Sequence, residues 1–182
     1  MGVIDPNVSG PILAVAAGVL VVSGAAKLRR PMPAAQAVTA VGLPGGVAAV
    51  RGLAVVEIAV GLACLIDPVP AAAAALGLLY LVLAGFVVMA WRLPEPLPSC
   101  GCMGTDRDPP PHPLHAAVNV VLAGAGVLAV VAPAAGLGTL AADAPLLALP
   151  LFAGLACGVT LVRAALETLP VVAFAYSPGG DG

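Results

Sequence analysis

Two thiols stand one residue apart in the run Pro98-Ser99-Cys100-Gly101-Cys102-Met103-Gly104. Thiolates are the nucleophiles of disulfide exchange, and a neighbouring pair lets one attack while the other resolves the mixed disulfide. With a single residue between them, a disulfide closes a very small ring. Such a ring is strained, and strained, exposed disulfides are oxidising and labile. Gly101 supplies the backbone freedom that the ring needs. Pro94, Pro96 and Pro98 before it, and Pro109, Pro110, Pro111 and Pro113 after it, restrict the loop and keep it from becoming helix. His112 and His115 extend the pattern to Cys-x-Cys, nine residues, His-x-x-His. Cys100, Cys102, His112 and His115 could close a tetrahedral Zn²⁺ site or hold Cu(I), although the Cys spacing is tighter than the usual ~2–4-residue gap. One imidazolium near the loop would instead favour a thiolate. The plain alternative is inert loop cysteines beside interfacial histidines.

Other polar residues stand where polarity is costly. Glu57 lies inside an apolar run, and a carboxylate at such depth is expected to face the bundle interior. Arg51 is its nearest basic neighbour in sequence. Six residues of helix place the two on different faces, about 9 Å apart along the axis. Lys27 or Arg163, from other helices, could serve instead. A structural ion pair and a proton-handling group are both open readings. Asn119 falls one turn after His115, on the same face, and is expected to hydrogen-bond between helices. Cys64 and Cys157 sit within apolar runs and read as packing residues. Cys157 lies in Gly154-Leu-Ala-Cys157-Gly158, a small-residue packing pattern.

The elements that must position these groups are membrane helices. The chain is 61% hydrophobic and only 9% charged, with a mean hydropathy of +1.11. A soluble domain of 182 residues could not bury so much apolar surface. A net charge of −2 without a basic tail gives no case for nucleic acid. The first apolar run ends in Lys27, Arg29 and Arg30 and lacks a basic leader, so it does not read as a cleaved signal. Five spans are expected: Pro11–Ala26, Val47–Ile66, Val69–Trp91, His115–Val131 and Pro145–Leu166. Each is close to the ~20 residues needed to cross the hydrocarbon core. Backbone groups in lipid must be satisfied internally, and nothing alternates with period two, so these are helices and not barrel strands. Asp67-Pro68 makes a tight hairpin between the second and third spans. Pro150 interrupts the fifth, and the apolar tail Leu169–Tyr176 is too short to cross.

Five spans also fix relative sides. Lys27, Arg29, Arg30, Arg92 and Arg107 share a side with Cys100 and Cys102. Arg51 begins the second span there, and Arg163 ends the fifth there. The positive-inside rule would make that side cytoplasmic, whereas disulfide formation belongs to the oxidising side.

The series Ser23-Gly-Ala-Ala-Lys27-Leu28, Arg51-Gly-Leu-Ala-Val-Val-Glu57-Ile-Ala-Val-Gly61-Leu62, Cys100-Gly-Cys102-Met-Gly104 and Asn119 resembles the methylamine-utilisation protein family MauE and the wider DoxX-like membrane proteins. It covers roughly Pro11 to Val131. Order and spacing carry the resemblance more than any single piece. The resemblance implies a four-helix membrane domain, set here at 8–133 with the Cys-x-Cys loop at 93–114; the apolar pattern alone adds a fifth transmembrane helix and a short tail at 134–182. It implies Cys100 and Cys102 as the reactive pair and Lys27, Glu57 and Asn119 as a polar core, with Arg51 as a further candidate. It also implies a multi-pass protein of the bacterial cytoplasmic membrane that works with a thioredoxin-like partner. Its clients would be disulfide-bearing proteins, the small subunit of methylamine dehydrogenase among them, with the Cys loop outside the cytoplasm. Met103 stands where an aromatic is expected. The fifth span and the loop histidines lie outside the resemblance.

The combined expectation is an all-α integral membrane bundle carrying thiol–disulfide exchange, a thiol–disulfide oxidoreductase if it turns over. A quinone is one candidate electron acceptor, although no quinone motif is present. Metal binding or transport through the Cys and His residues, and a non-catalytic scaffold, are the competing classes.

Overall fold

The computed structural model describes residues 6–95, 97, 99, 101, 109–133, 136–138 and 145–175. Among these the fold is all-α: α1 (Pro6–Arg29), α2 (Met32–Ala40), α3 (Gly46–Ile66), α4 (Pro70–Trp91), α5 (Pro113–Val131) and α6 (Pro145–Ala175). Four of them, α1, α3, α4 and α5, are long and apolar enough to cross a membrane, and α6 carries a shorter apolar stretch, Phe152–Leu166. Prolines mark the starts. Pro70 and Pro113 open α4 and α5 at positions where a helix has no use for the missing N–H.

Two antiparallel pairs form the core, and small residues let their backbones approach. In the α1/α3 pair, a Cβ added at Gly24 would lie 2.8 Å from the Ala54 carbonyl oxygen, and one at Gly61 would lie 2.8 Å from that of Ala17. Residues 24 with 54 and 17 with 61 run in opposite senses, which fixes the pair as antiparallel. In the α4/α5 pair, a Cβ at Gly126 would lie 2.5 Å from the Ala73 carbonyl oxygen, and one at Gly77 would lie 3.2 Å from that of Ala123. Lipid gives no hydrophobic drive between helices, so such close packing supplies the attraction. Leu13, Leu20, Leu76, Tyr80 and Leu122 fill the common core. The Tyr80 hydroxyl donates to the Ala16 carbonyl at 2.6 Å, tying α4 to α1.

Two elements differ from the sequence-based expectation. The helix α2 lies in what reads as a loop. Pro31 precedes it and Pro33 occupies its first turn, a placement proline tolerates. Its Ala34 and Ala35 pack with Val50 at the start of α3. The second difference is α6, where Pro150 does not end the helix and the apolar tail from Leu169 continues it to Ala175. Proline is tolerated in membrane helices when surrounding groups compensate the lost bond. The Gly154/Gly158 pattern is only half used. A Cβ at Gly158 would meet Val15 of α1, whereas one at Gly154 meets nothing, and Cys157 is exposed.

Candidate functional site

Lys27 lies in the last turn of α1 and Glu57 sits mid-way along α3, where the α1/α3 pair brings them together. The Lys27 ammonium donates to Glu57 Oε1 at 2.6 Å and to Ser23 Oγ at 3.0 Å. Lys27 is 3% exposed and Glu57 is 0% exposed, so the pair is wholly inside the bundle. Isolated, either charge would be severely penalised there, and pairing is what makes the burial tolerable. Glu57 Oε2 is buried without a hydrogen-bond partner among the described residues. Two of the three Lys27 N–H groups are engaged by described residues. Arg51, six residues before Glu57, is exposed and takes no part in the pair.

The loop meets the bundle at Gly101. Its φ of +64° lies in the left-handed region, and its N–H donates to Ser99 Oγ at 3.1 Å. It rests flush on the start of α2: a Cβ there would lie 2.5 Å from the Ala34 Cα and 2.6 Å from the Ala34 nitrogen. Conformation and contact each exclude a side chain. Gly101 and Lys27 also line one cavity of about 320 Å³, between α2, α3 and α4. Cys100 and Cys102, on either side of Gly101, lie outside the described residues, as do Met103 and Arg107.

The two histidines cap α5. His112 Nδ1 accepts the Leu114 N–H at 3.2 Å, and His115 Nδ1 accepts the His112 N–H at 3.2 Å. This reciprocal arrangement is a capping box built from imidazoles. Because His115 Nδ1 accepts, its Nε2 carries the proton and donates to the Leu166 carbonyl of α6, 2.9 Å away. Both nitrogens of the buried His115 are therefore occupied. Leu166 beside the start of α5 also sends the C-terminal part of α6 toward the face of the Cys loop, as the span count requires. No cluster of metal-ligating side chains occurs among the described residues. Asn119 is buried one turn further along α5. Cys64 is buried in the core.

The family model for methylamine utilisation protein MauE matches residues 7–132. The chain belongs to the MauE family. No curated protein and no solved structure matches it. The matched region takes in α1 to α5, the Cys loop and the Lys27–Glu57 pair of this MauE-family bundle, and leaves α6 outside. Sequence reasoning singled out Glu57 as needing a cation and left Lys27, Arg51 and Arg163 as candidates, of which the structure pairs Lys27. It missed the docking of Gly101 on α2. The only trace of it in the sequence is a glycine between the thiols, which the small ring already explained.

Proposed function

We propose that this MauE-family chain is a membrane thiol–disulfide redox protein acting through Cys100 and Cys102 in the bacterial cytoplasmic membrane. Its loop faces the extracytoplasmic side, and it works with a thioredoxin-like partner. Its clients are disulfide-bearing proteins, with the small subunit of methylamine dehydrogenase as the one its family membership supports. The observation that carries the reading is the seat of Gly101. The residue linking the two thiols is held by φ and by backbone contact against α2, so the pair is attached to a fixed point of the bundle. Oriented thiols gain from such anchoring, because attack and resolution each require a defined approach.

In the forward cycle a partner thiolate attacks the Cys100–Cys102 disulfide. One sulfur bonds to the partner and the other leaves as a thiolate. The partner's second thiol then displaces the mixed disulfide. The partner leaves oxidised and the loop is left as a dithiol. The metal alternative loses support from His115, whose two nitrogens are spent on His112 and Leu166. A four-ligand site using Cys100, Cys102, His112 and His115 would have to break the α5 cap.

The test is exchange in vitro. Oxidised chain, purified in detergent, is mixed with a reduced thioredoxin-fold protein, and thiols are counted on both. One disulfide is expected to move per chain, and none in Cys100→Ser. Bound zinc or copper at one equivalent, lost together with function in His112→Ala/His115→Ala, would replace the redox reading with the metal one.

A further inference from the structure

The cavity of about 320 Å³ is at the low end of the ~300–1,000 Å³ range of small-molecule sites. It lies at the Cys-loop end of the bundle. Val50 and Leu53 come from the start of α3, Phe86 and Met89 from the end of α4, and Val38 from α2. Its walls also include Leu43, Val82 and Met89, which are exposed on the apolar outer surface, so it communicates with lipid. Among the described lining residues Lys27 has the only polar side chain.

Each property narrows the occupant. An apolar chamber reached from lipid takes a lipid-soluble molecule. An ammonium with an N–H left over from Ser23 and Glu57 rewards a hydrogen-bond acceptor, such as a carbonyl oxygen, on that molecule. Gly101 at the wall carries a cysteine on each side in sequence, so a useful occupant accepts two electrons. Glu57, behind Lys27, offers a buried carboxylate oxygen with no partner among the described residues, suited to handling the accompanying protons. A phospholipid acyl chain meets only the first of these conditions. A quinone meets all of them, with its head group inside and its isoprenoid tail in the bilayer. We propose that the cavity between α2, α3 and α4 binds a membrane quinone that reoxidises the Cys100/Cys102 dithiol. Two S–H bonds break and one S–S bond forms. Two electrons and two protons pass to the two quinone oxygens, giving a quinol. The proposal rests on the thiol chemistry above and names its electron acceptor.

The test uses the full chain in detergent micelles, reduced, freed of reductant and mixed without oxygen with decylubiquinone. One quinol should form for every two thiols lost, followed by ultraviolet absorbance and thiol titration. Gly85→Leu fills the cavity from α4. A Cβ there meets nothing within 4 Å, so the change adds bulk without a clash in the first shell. It should raise KM for decylubiquinone by about tenfold or more. Gly124→Leu, equally unobstructed but on α5 and outside the cavity, should leave KM where it is. On the unaltered chain an azido-quinone photolabel should mark the segments 34–43 or 82–89, with decylubiquinone protecting and phosphatidylethanolamine not. An unchanged KM in Gly85→Leu, labelling elsewhere, or protection by the phospholipid alone overturns the proposal. Exchange of the same samples with dithiothreitol separates the two readings. Exchange without quinol formation removes the quinone and leaves the thiol chemistry standing, whereas no exchange removes the thiol chemistry itself.

Discussion

Lys27 and Glu57 illustrate how a membrane interior treats single charges. Their contact of 2.6 Å is buried on both sides. Removing one partner leaves the other charged and unsolvated, which costs about 3–5 kcal/mol, whereas removing both costs far less. Thermal unfolding in micelles should therefore rank Lys27→Met and Glu57→Leu well below the parent. The double variant should recover much of the loss, as a coupled pair requires. Additive losses would show that the two residues act independently. The need for a cation was legible in the sequence, because a buried carboxylate requires one, but the choice of Lys27 over Arg51 or Arg163 depends on how the helices pack. Gly101 was legible only in part. Its role in a small ring follows from spacing, but its seat on Ala34 is a contact across more than sixty residues that no local pattern announces. Gly101→Ala should strain the loop backbone and push α2 away. Hydrogen exchange at residues 34–38 should then quicken, with α4 and α5 unchanged; unaltered protection of α2 would contradict the contact.

At the scale of elements, the glycines separate packing from mere composition. Gly124 and Gly126 are two residues apart on α5, yet only Gly126 faces the α4 backbone. Gly126→Ala should cost about 1–3 kcal/mol, the usual penalty of overpacking. Gly124→Ala should be neutral or slightly stabilising, since alanine is the better helix former. Equal effects at both positions, measured by unfolding in the same detergent, would mean that α4 and α5 do not pack as described. Four spans were legible from apolar length, three of them without Asp, Glu, Lys or Arg and the second despite Arg51 and Glu57. The helix α2 was not, because nine residues bounded by prolines give no membrane-length signal. Nor was the continuity of α6, because Pro150 reads as a break until the neighbouring helices are known.

For the molecule as a whole, the conflict between basic residues and redox compartment is eased by the buried pair. Lys27 answers Glu57 inside the bundle, so it is a structural cation and a poor topological vote. The span count still puts the other six, Arg29, Arg30, Arg51, Arg92, Arg107 and Arg163, on the Cys-loop side. With the loop outside the cytoplasm, an impermeant maleimide should label Cys100 and Cys102 in intact, mildly reduced cells. Labelling only after lysis would place the loop in the cytoplasm. The most direct test of the central claim is trapping. With Cys100 or Cys102 singly replaced by Ser, the remaining thiol can attack an oxidised partner, the reverse of the cycle above, and no second loop thiol displaces the adduct, so exchange should stall as a mixed disulfide. Non-reducing electrophoresis of one of the two variants should show an adduct with a small, thioredoxin-like protein that vanishes with reductant. The adduct should persist when Cys64 or Cys157 is changed to Ala. No adduct from either single variant, with function intact in both, would contradict the account.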